Sequence, residues 1–166
     1  MSPYTFHRQA ARVVLLDRQG LVLLLRASDP ADPRKGSWWE IPGGGVEPGE
    51  NSEDAARREL LEETGIAEVE IGPCVWIQHA EFDFGGYHFD QDERIHVAWC
   101  DAAQMPRPTR LEALEVIAFE GGRWWTVDEL LACDDALLPP GLRELLPPLV
   151  AGELPREPVD IGVRAE

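Results

Sequence analysis

The chain has little of what would staple, anchor or charge it toward a polyanionic partner. It has three cysteines, an odd number at wide spacing. Cys74, Cys100 and Cys133 therefore offer neither a zinc spacing nor a disulfide framework, and reduced thiols in a cytoplasmic protein are expected. No run approaches the roughly 20 apolar residues that cross a bilayer, and the opening Met1–Arg8 stretch lacks an apolar signal core. Basic residues are scarce as well. Fifteen Lys and Arg stand against 31 Asp and Glu, a formal net charge of −16, which argues against a nucleic-acid polymer or an anionic membrane as partner. There is no internal repeat. At 166 residues the chain fits one domain able to bury its core unaided, expected over residues 1–150 with a partly mobile tail at 151–166.

What is present concentrates between Gly44 and Ile66. A glycine-rich turn, Gly44-Gly45-Val46-Glu47-Pro48-Gly49-Glu50, leads into a predicted short helix from Ser52 to Thr64. Asn51 is the expected N-cap, accepting from the backbone near Asp54, with Asp54 reaching back as in a capping box. Gly65 supplies the left-handed residue that ends the helix. Glu59, Glu62 and Glu63 stand at i, i+3 and i+4, three carboxylates on one face near the end where the helix dipole disfavours anions. Like-charged pairs at that spacing cost about 0.2–0.5 kcal/mol each, and a hard divalent cation offsets them.

An acidic helix face alone is commonly just solvated. The surrounding pattern decides otherwise. Gly44, Glu50, Arg58, Glu59, Leu60, Glu62, Glu63, Gly65 and Ile66 fit Gly-x5-Glu-x7-Arg-Glu-U-x-Glu-Glu-x-Gly-U, where U is a bulky aliphatic, without a substitution. With fixed residues occurring at roughly one in fifteen, a chance match is rarer than about one in ten million. The chain resembles the Nudix hydrolases.

That resemblance implies an α/β fold, an α/β/α sandwich with a mixed sheet, and metal-dependent cleavage of a diphosphate linkage in a nucleoside diphosphate derivative. It implies Glu59 and Glu63 as principal ligands of Mg2+, or Mn2+ in its place, with Glu62 as a further ligand and the Gly43 carbonyl as an extra oxygen. Arg58 would orient a catalytic glutamate, and Glu50 would hold loop and helix together beside Gly44 at the substrate. A homodimer is expected by the same likeness. Arg26, closing the apolar run Leu21–Leu25, matches an arginine set against substrate phosphate, a surface ion pair being the competing reading. An acid outside the motif is expected to assist the attacking water, and Glu115 ranks ahead of Glu93 and Glu120; Glu59 or Glu115 would take the proton.

Elsewhere the pattern is coarser. Ala10–Leu16 and Leu21–Arg26 read as neighbouring strands buried on both faces. Of Trp38 and Trp39, alternation sends one to the core and the other to the cleft. Trp76, Phe82, Phe84 and Tyr87 are candidates for stacking a base, while His79, His88 and His96 read as structural. Leu111–Phe119 suggests a short helix, and Gly141–Leu146 a few helical turns ended by Pro147-Pro148. Two other classes stay open. One is a nucleotide-binding module without catalysis; the other is an isoprenoid-diphosphate isomerase using Cys74 or Cys100.

Overall fold

The computed structural model describes residues 4–162. Of the tail expected at 151–166 to be partly mobile, residues 163–166 lie outside that range. Two apolar strands, β1 (Thr5–Leu16) and β2 (Val22–Ser28), form the spine. Their alternate residues serve opposite faces, as β geometry requires. Val14, Leu16, Val22 and Leu24 join one buried cluster, and Val13, Leu15, Leu23 and Leu25 the other. The strands are therefore covered on both sides.

The remaining elements are β3 (Ser37–Glu40), β4 (Gly43–Gly45), α1 (Ser52–Thr64), β5 (Glu70–Phe84), β6 (Tyr87–Trp99), α2 (Ala113–Ala118), β7 (Phe119–Trp125), α3 (Val127–Ala132), β8 (Leu137–Leu138), α4 (Leu142–Val150) and β9 (Val159–Asp160). The sheet runs β8-β3-β2-β1-β6-β5-β9, with β4 on β1 and β7 on β2. It is mixed: β1 and β6 are parallel, as are β3–β8 and β5–β9, while the other pairs are antiparallel. Ala55, Ala56 and Leu60 of α1 cover one face. Leu130 of α3 and Leu142, Leu146 and Leu149 of α4 cover the other, which makes the expected α/β/α sandwich.

One departure from a flat sheet creates the site. β1 and β2 pair only at Leu16↔Val22, beside their turn. Beyond it they splay, β1 turning to β4 and β6 and β2 to β3 and β7. A cleft opens in the gap.

Three local expectations change. Where strand-like runs were expected between Ala67 and Phe84, such as Glu68–Ile71 and Cys74–Ile77, the chain forms one long strand, β5, from Glu70 to Phe84, with a bulge between Ile71 and Trp76. Trp76 is buried in the core and stacks nothing. The proline pair does not end the last helix, because α4 continues through Pro147 and Pro148 to Val150. Proline's fixed φ suits a helix, and the two lost N–H donors are offset by the buried stripe of Leu142, Leu146 and Leu149. The segment after α4 returns to the sheet, where Ile161 N–H donates to the Ile77 carbonyl at 2.9 Å.

Candidate active site

The helix that carries the acids is built as its sequence asks. Asn51 Oδ1 accepts from the Asp54 N–H at 2.8 Å, and Gly65, at φ 75°, closes the C-terminus onto the Leu61 carbonyl. The two apolar alanines and Leu60 seat α1 on the sheet, and this turns Glu59 and Glu63 inward. Glu115 arrives from α2. The three carboxylates offer oxygens all within 4.8 Å of one another. Glu62 is not part of this group. It accepts instead from Arg58 Nη1 at 3.2 Å.

Arg58 is the centre of a second layer. Its Nε and Nη2 clasp both oxygens of Glu50 at 2.9 Å, Nη2 also reaches the Gly45 carbonyl at 2.8 Å, and Nη1 donates to Glu59 Oε1 at 2.9 Å. A rigid guanidinium thus ties the loop to the helix and fixes the rotamer of Glu59. Neither Arg58 nor Glu50 lines the cleft.

The glycine turn explains its own composition. A Cβ on Gly44 would fall 2.6 Å from the Glu59 carboxylate, and one on Gly43 only 2.4 Å from the Ala11 carbonyl. Only glycine lets this backbone lie against both the acids and β1. Gly43 N–H donates to Glu63 Oε1 at 2.8 Å.

Burial makes these acids reluctant to ionise. It pushes the Glu59 carboxyl up to about 7 despite the opposing Arg58 charge. Burial, with the Glu115 and Glu59 charges added, holds Glu63 well above the usual range. Glu115 is raised for the same first reason. Three carboxylates with raised pKa values, Glu59 buried and Glu63 and Glu115 half-buried, in a cradle that a Cβ would fill, form an all-oxygen donor set of the kind that suits Mg2+.

The cleft above them holds about 650 Å³. Its polar floor was not anticipated from the sequence. Arg12, a charge inside the apolar run Ala10–Leu16, is half-buried and donates from Nε to Glu93 Oε1 at 2.9 Å, with Glu40 at 3.8 Å. Glu93 also accepts from Gln78 and Gln91, and burial of its carboxyl is outweighed by Arg12 and these amides, so its pKa is lowered. An acid so saturated is a structural counter-ion, and Glu120 is spent on the Ser37 hydroxyl. Of the three acids outside the motif, Glu115 alone reaches the cluster. Arg8, also unforeseen, stacks over Phe89 at 4.8 Å and donates to Gln91. A lone charge within an apolar strand is the signal that marks Arg12 in the sequence; for Arg8 there is none, since parallel pairing with β6 creates its surroundings.

Arg26 lines the cleft with its guanidinium over the Trp39 ring at 5.3 Å. Trp39 is core and Trp38 faces the cleft. Phe82 and Phe84 join the lining, whereas Tyr87 packs outside against Phe6. Neither Cys74 nor Cys100 reaches the cleft.

Residues 6–149 match the NUDIX domain. The chain belongs to the Nudix hydrolase family. An RNA pyrophosphohydrolase of Caulobacter vibrioides is 48% identical over 134 residues, 74% of each chain. One from Erythrobacter litoralis is 44% identical over 61 residues, so that this chain matches only 35% of that relative's length. Among solved structures, the dihydroneopterin triphosphate pyrophosphohydrolase of E. coli superimposes with a TM-score of 0.61 at 19% identity, over 90% of this chain and 99% of that one. An Ap4A hydrolase of C. elegans gives 0.59 at 21% identity, over 87% and 96%. At such identities the structures speak for the shared fold. Family membership carries pyrophosphate-bond hydrolysis to this Nudix chain as its reaction class. Among the described residues no helix is long and apolar enough to cross a membrane.

Proposed function

We propose that this chain hydrolyses the diphosphate linkage of a small nucleoside diphosphate derivative with the help of Mg2+, in the cytoplasm. The observation that carries the reading is the meeting of Glu59, Glu63 and Glu115 within 4.8 Å at the floor of the cleft. These three carboxylates would hold the cation. When bound, it supplies neutralisation of the diphosphate charge and acidification of a water.

The chain's own residues supply the rest. Glu115 sits on a separate element from the other two acids, and burial raises its carboxyl above the usual carboxylate range, which makes it a stronger proton acceptor than an exposed glutamate. Arg58 holds Glu59 in place and takes no part at the phosphate. Among the described residues Arg8 and Arg26 have no carboxylate partner within 4.0 Å, so the guanidinium charge of each can meet substrate phosphate. Trp38, Phe82 and Phe84 provide an apolar wall for the base. A purely binding module would have no use for three repelling acids gathered at the cleft floor, and an isomerase would need a thiol at the cleft.

A second reading concerns the substrate's size. The 48% identity to an RNA pyrophosphohydrolase favours the triphosphorylated 5′ end of an RNA; the net charge of −16 favours a mononucleotide or dinucleotide. Phosphate or pyrophosphate release from nucleotides, dinucleoside polyphosphates and a triphosphorylated oligoribonucleotide separates the two. In every case Glu63→Gln and Glu115→Gln should each lower turnover by at least about a hundredfold, and chelation should abolish it. Near-normal turnover by Glu63→Gln at matched Mg2+ defeats the assignment.

A further inference from the structure

The hairpin of β5 and β6, with the start of β1 beside it, has two unlike faces. Phe6, Arg8, Phe82, Phe89, Gln91 and Glu93 contact one another on the side of the cleft. Strand alternation sends the intervening residues to the reverse side. There stand His7 from β1, His79, Glu81 and Asp83 from β5, and His88, Asp90 and Asp92 from β6. The chain has four histidines, and three of them are here.

They are arranged in strict alternation with carboxylates. His7 Nδ1 lies 3.0 Å from Asp90 Oδ2, Asp90 Oδ1 lies 2.8 Å from His79 Nε2, and His79 Nε2 lies 3.5 Å from Glu81 Oε1. Glu81 Oε2 is then 3.5 Å from His88 Nε2, whose Nδ1 is 2.7 Å from Asp83. The other ring nitrogen of His79 is 2.8 Å from Asp92 Oδ1. In a neutral imidazole only one nitrogen carries a proton. Protonated, His79 donates from both ring nitrogens, Nδ1 to Asp92 and Nε2 to Asp90, and a cation taken up here would replace the Nε2 proton.

We propose that His79, Glu81 and Asp90 form a surface site for a borderline divalent cation of the Zn2+, Ni2+ or Co2+ class, separate from the acid cluster of the cleft. The three ligand atoms lie within 4.8 Å of one another; the 3.5 Å from His79 to Glu81 is of the size that ligands about 2.0–2.2 Å from one tetrahedral ion require, and the 2.8 Å from His79 to Asp90, a hydrogen-bond distance, would widen on binding. Imidazole nitrogen selects this class over Mg2+, which prefers oxygen alone. The outer contacts are those that metal ligands characteristically have: Asp92 behind His79, His7 behind Asp90 and His88 behind Glu81, each fixing a ligand's orientation. Solvent on the open side supplies the remaining positions. The ion would clamp β5 to β6 directly behind Phe82 and Phe89.

The test is a Zn2+ titration of the full chain with Mg2+ in excess, followed by calorimetry, with X-ray absorption at the zinc edge and circular dichroism to confirm folding. One equivalent should bind with an imidazole nitrogen among its neighbours, should persist in Glu63→Gln, and should be lost in His79→Ala. Asp92→Asn should weaken it by about tenfold or more. Binding that survives His79→Ala, or that vanishes in Glu63→Gln, places the ion in the cleft and overturns the proposal. So does absence of any binding, which would leave the ladder an ion-pair network only.

Discussion

Replacing Glu59 by glutamine should stabilise the metal-free protein while disabling it. Glu59 is buried, and its carboxyl titrates at about 7 rather than the usual 4.5. A carboxyl whose folded pKa is raised contributes stability below its unfolded pKa, and that contribution is lost as pH rises from about 4.5 through 7. Above that window the ionised group costs the fold about 3 kcal/mol, since a difference of about 2.5 pKa units is worth roughly 1.4 kcal/mol each. Glutamine keeps the shape and an oxygen for Arg58 but never ionises. In EDTA near pH 8.5, Glu59→Gln should therefore melt above the unmodified chain by up to about 6–12 °C, at roughly 2–4 °C per kcal/mol. Near pH 4.5 the two should converge. Adding Mg2+ at the higher pH should raise the melting temperature of the unmodified chain and narrow or reverse the gap, because an ion offsets the repulsion only where the acids are charged. Differential scanning calorimetry across this grid is the assay. If Glu59→Gln is no more stable than the unmodified chain at high pH in EDTA, the carboxylate is not strained there, and the case for a cation among these acids falls with it.

Arg58→Met should cost about 3 kcal/mol by urea unfolding, since it strands the half-buried carboxylates of Glu50, Glu59 and Glu62 together; a loss under about 1 kcal/mol would mean that Arg58 does not hold the loop. Gly44→Ala puts a methyl 2.6 Å from the Glu59 carboxylate, so Mg2+ affinity by calorimetry should fall tenfold or more with the fold kept by circular dichroism. Trp38→Ala together with Phe84→Ala should raise KM by about tenfold or more with kcat little changed, one lost stacking contact being worth about 1–3 kcal/mol; a matching fall in kcat would place the pair at the reacting phosphate instead.

Some of this molecule could be read directly from residue order. Local rules sufficed wherever cause and effect lie within one helical turn. Asn51 caps α1, Gly65 ends it, and the i, i+3, i+4 spacing clusters its glutamates, all through contacts a few residues apart. The two-sided burial of β1 and β2 followed from their apolar runs, interrupted only by Arg12. Glycine in the turn is likewise a local demand for space, although its purpose, contact with Glu59, is visible only once the helix is docked.

What packing alone decided begins where that helix meets the sheet. Spacing put three box acids on one face, yet docking sorts them: Glu59 and Glu63 turn inward, while Glu62 is left to Arg58. Residue order does not separate Glu115 from Glu93 and Glu120; packing does, bringing Glu115 to Glu59 and Glu63 while Arg12 and two amides saturate Glu93 and Glu120 meets Ser37. Likewise, nothing in the order of residues brings His7 beside Asp90, 83 positions away. Side-chain spacing along one element is set by bond geometry and travels with the sequence; the meeting of two elements depends on which apolar faces bury together and where β1 parts from β2, and that is a property of the whole fold.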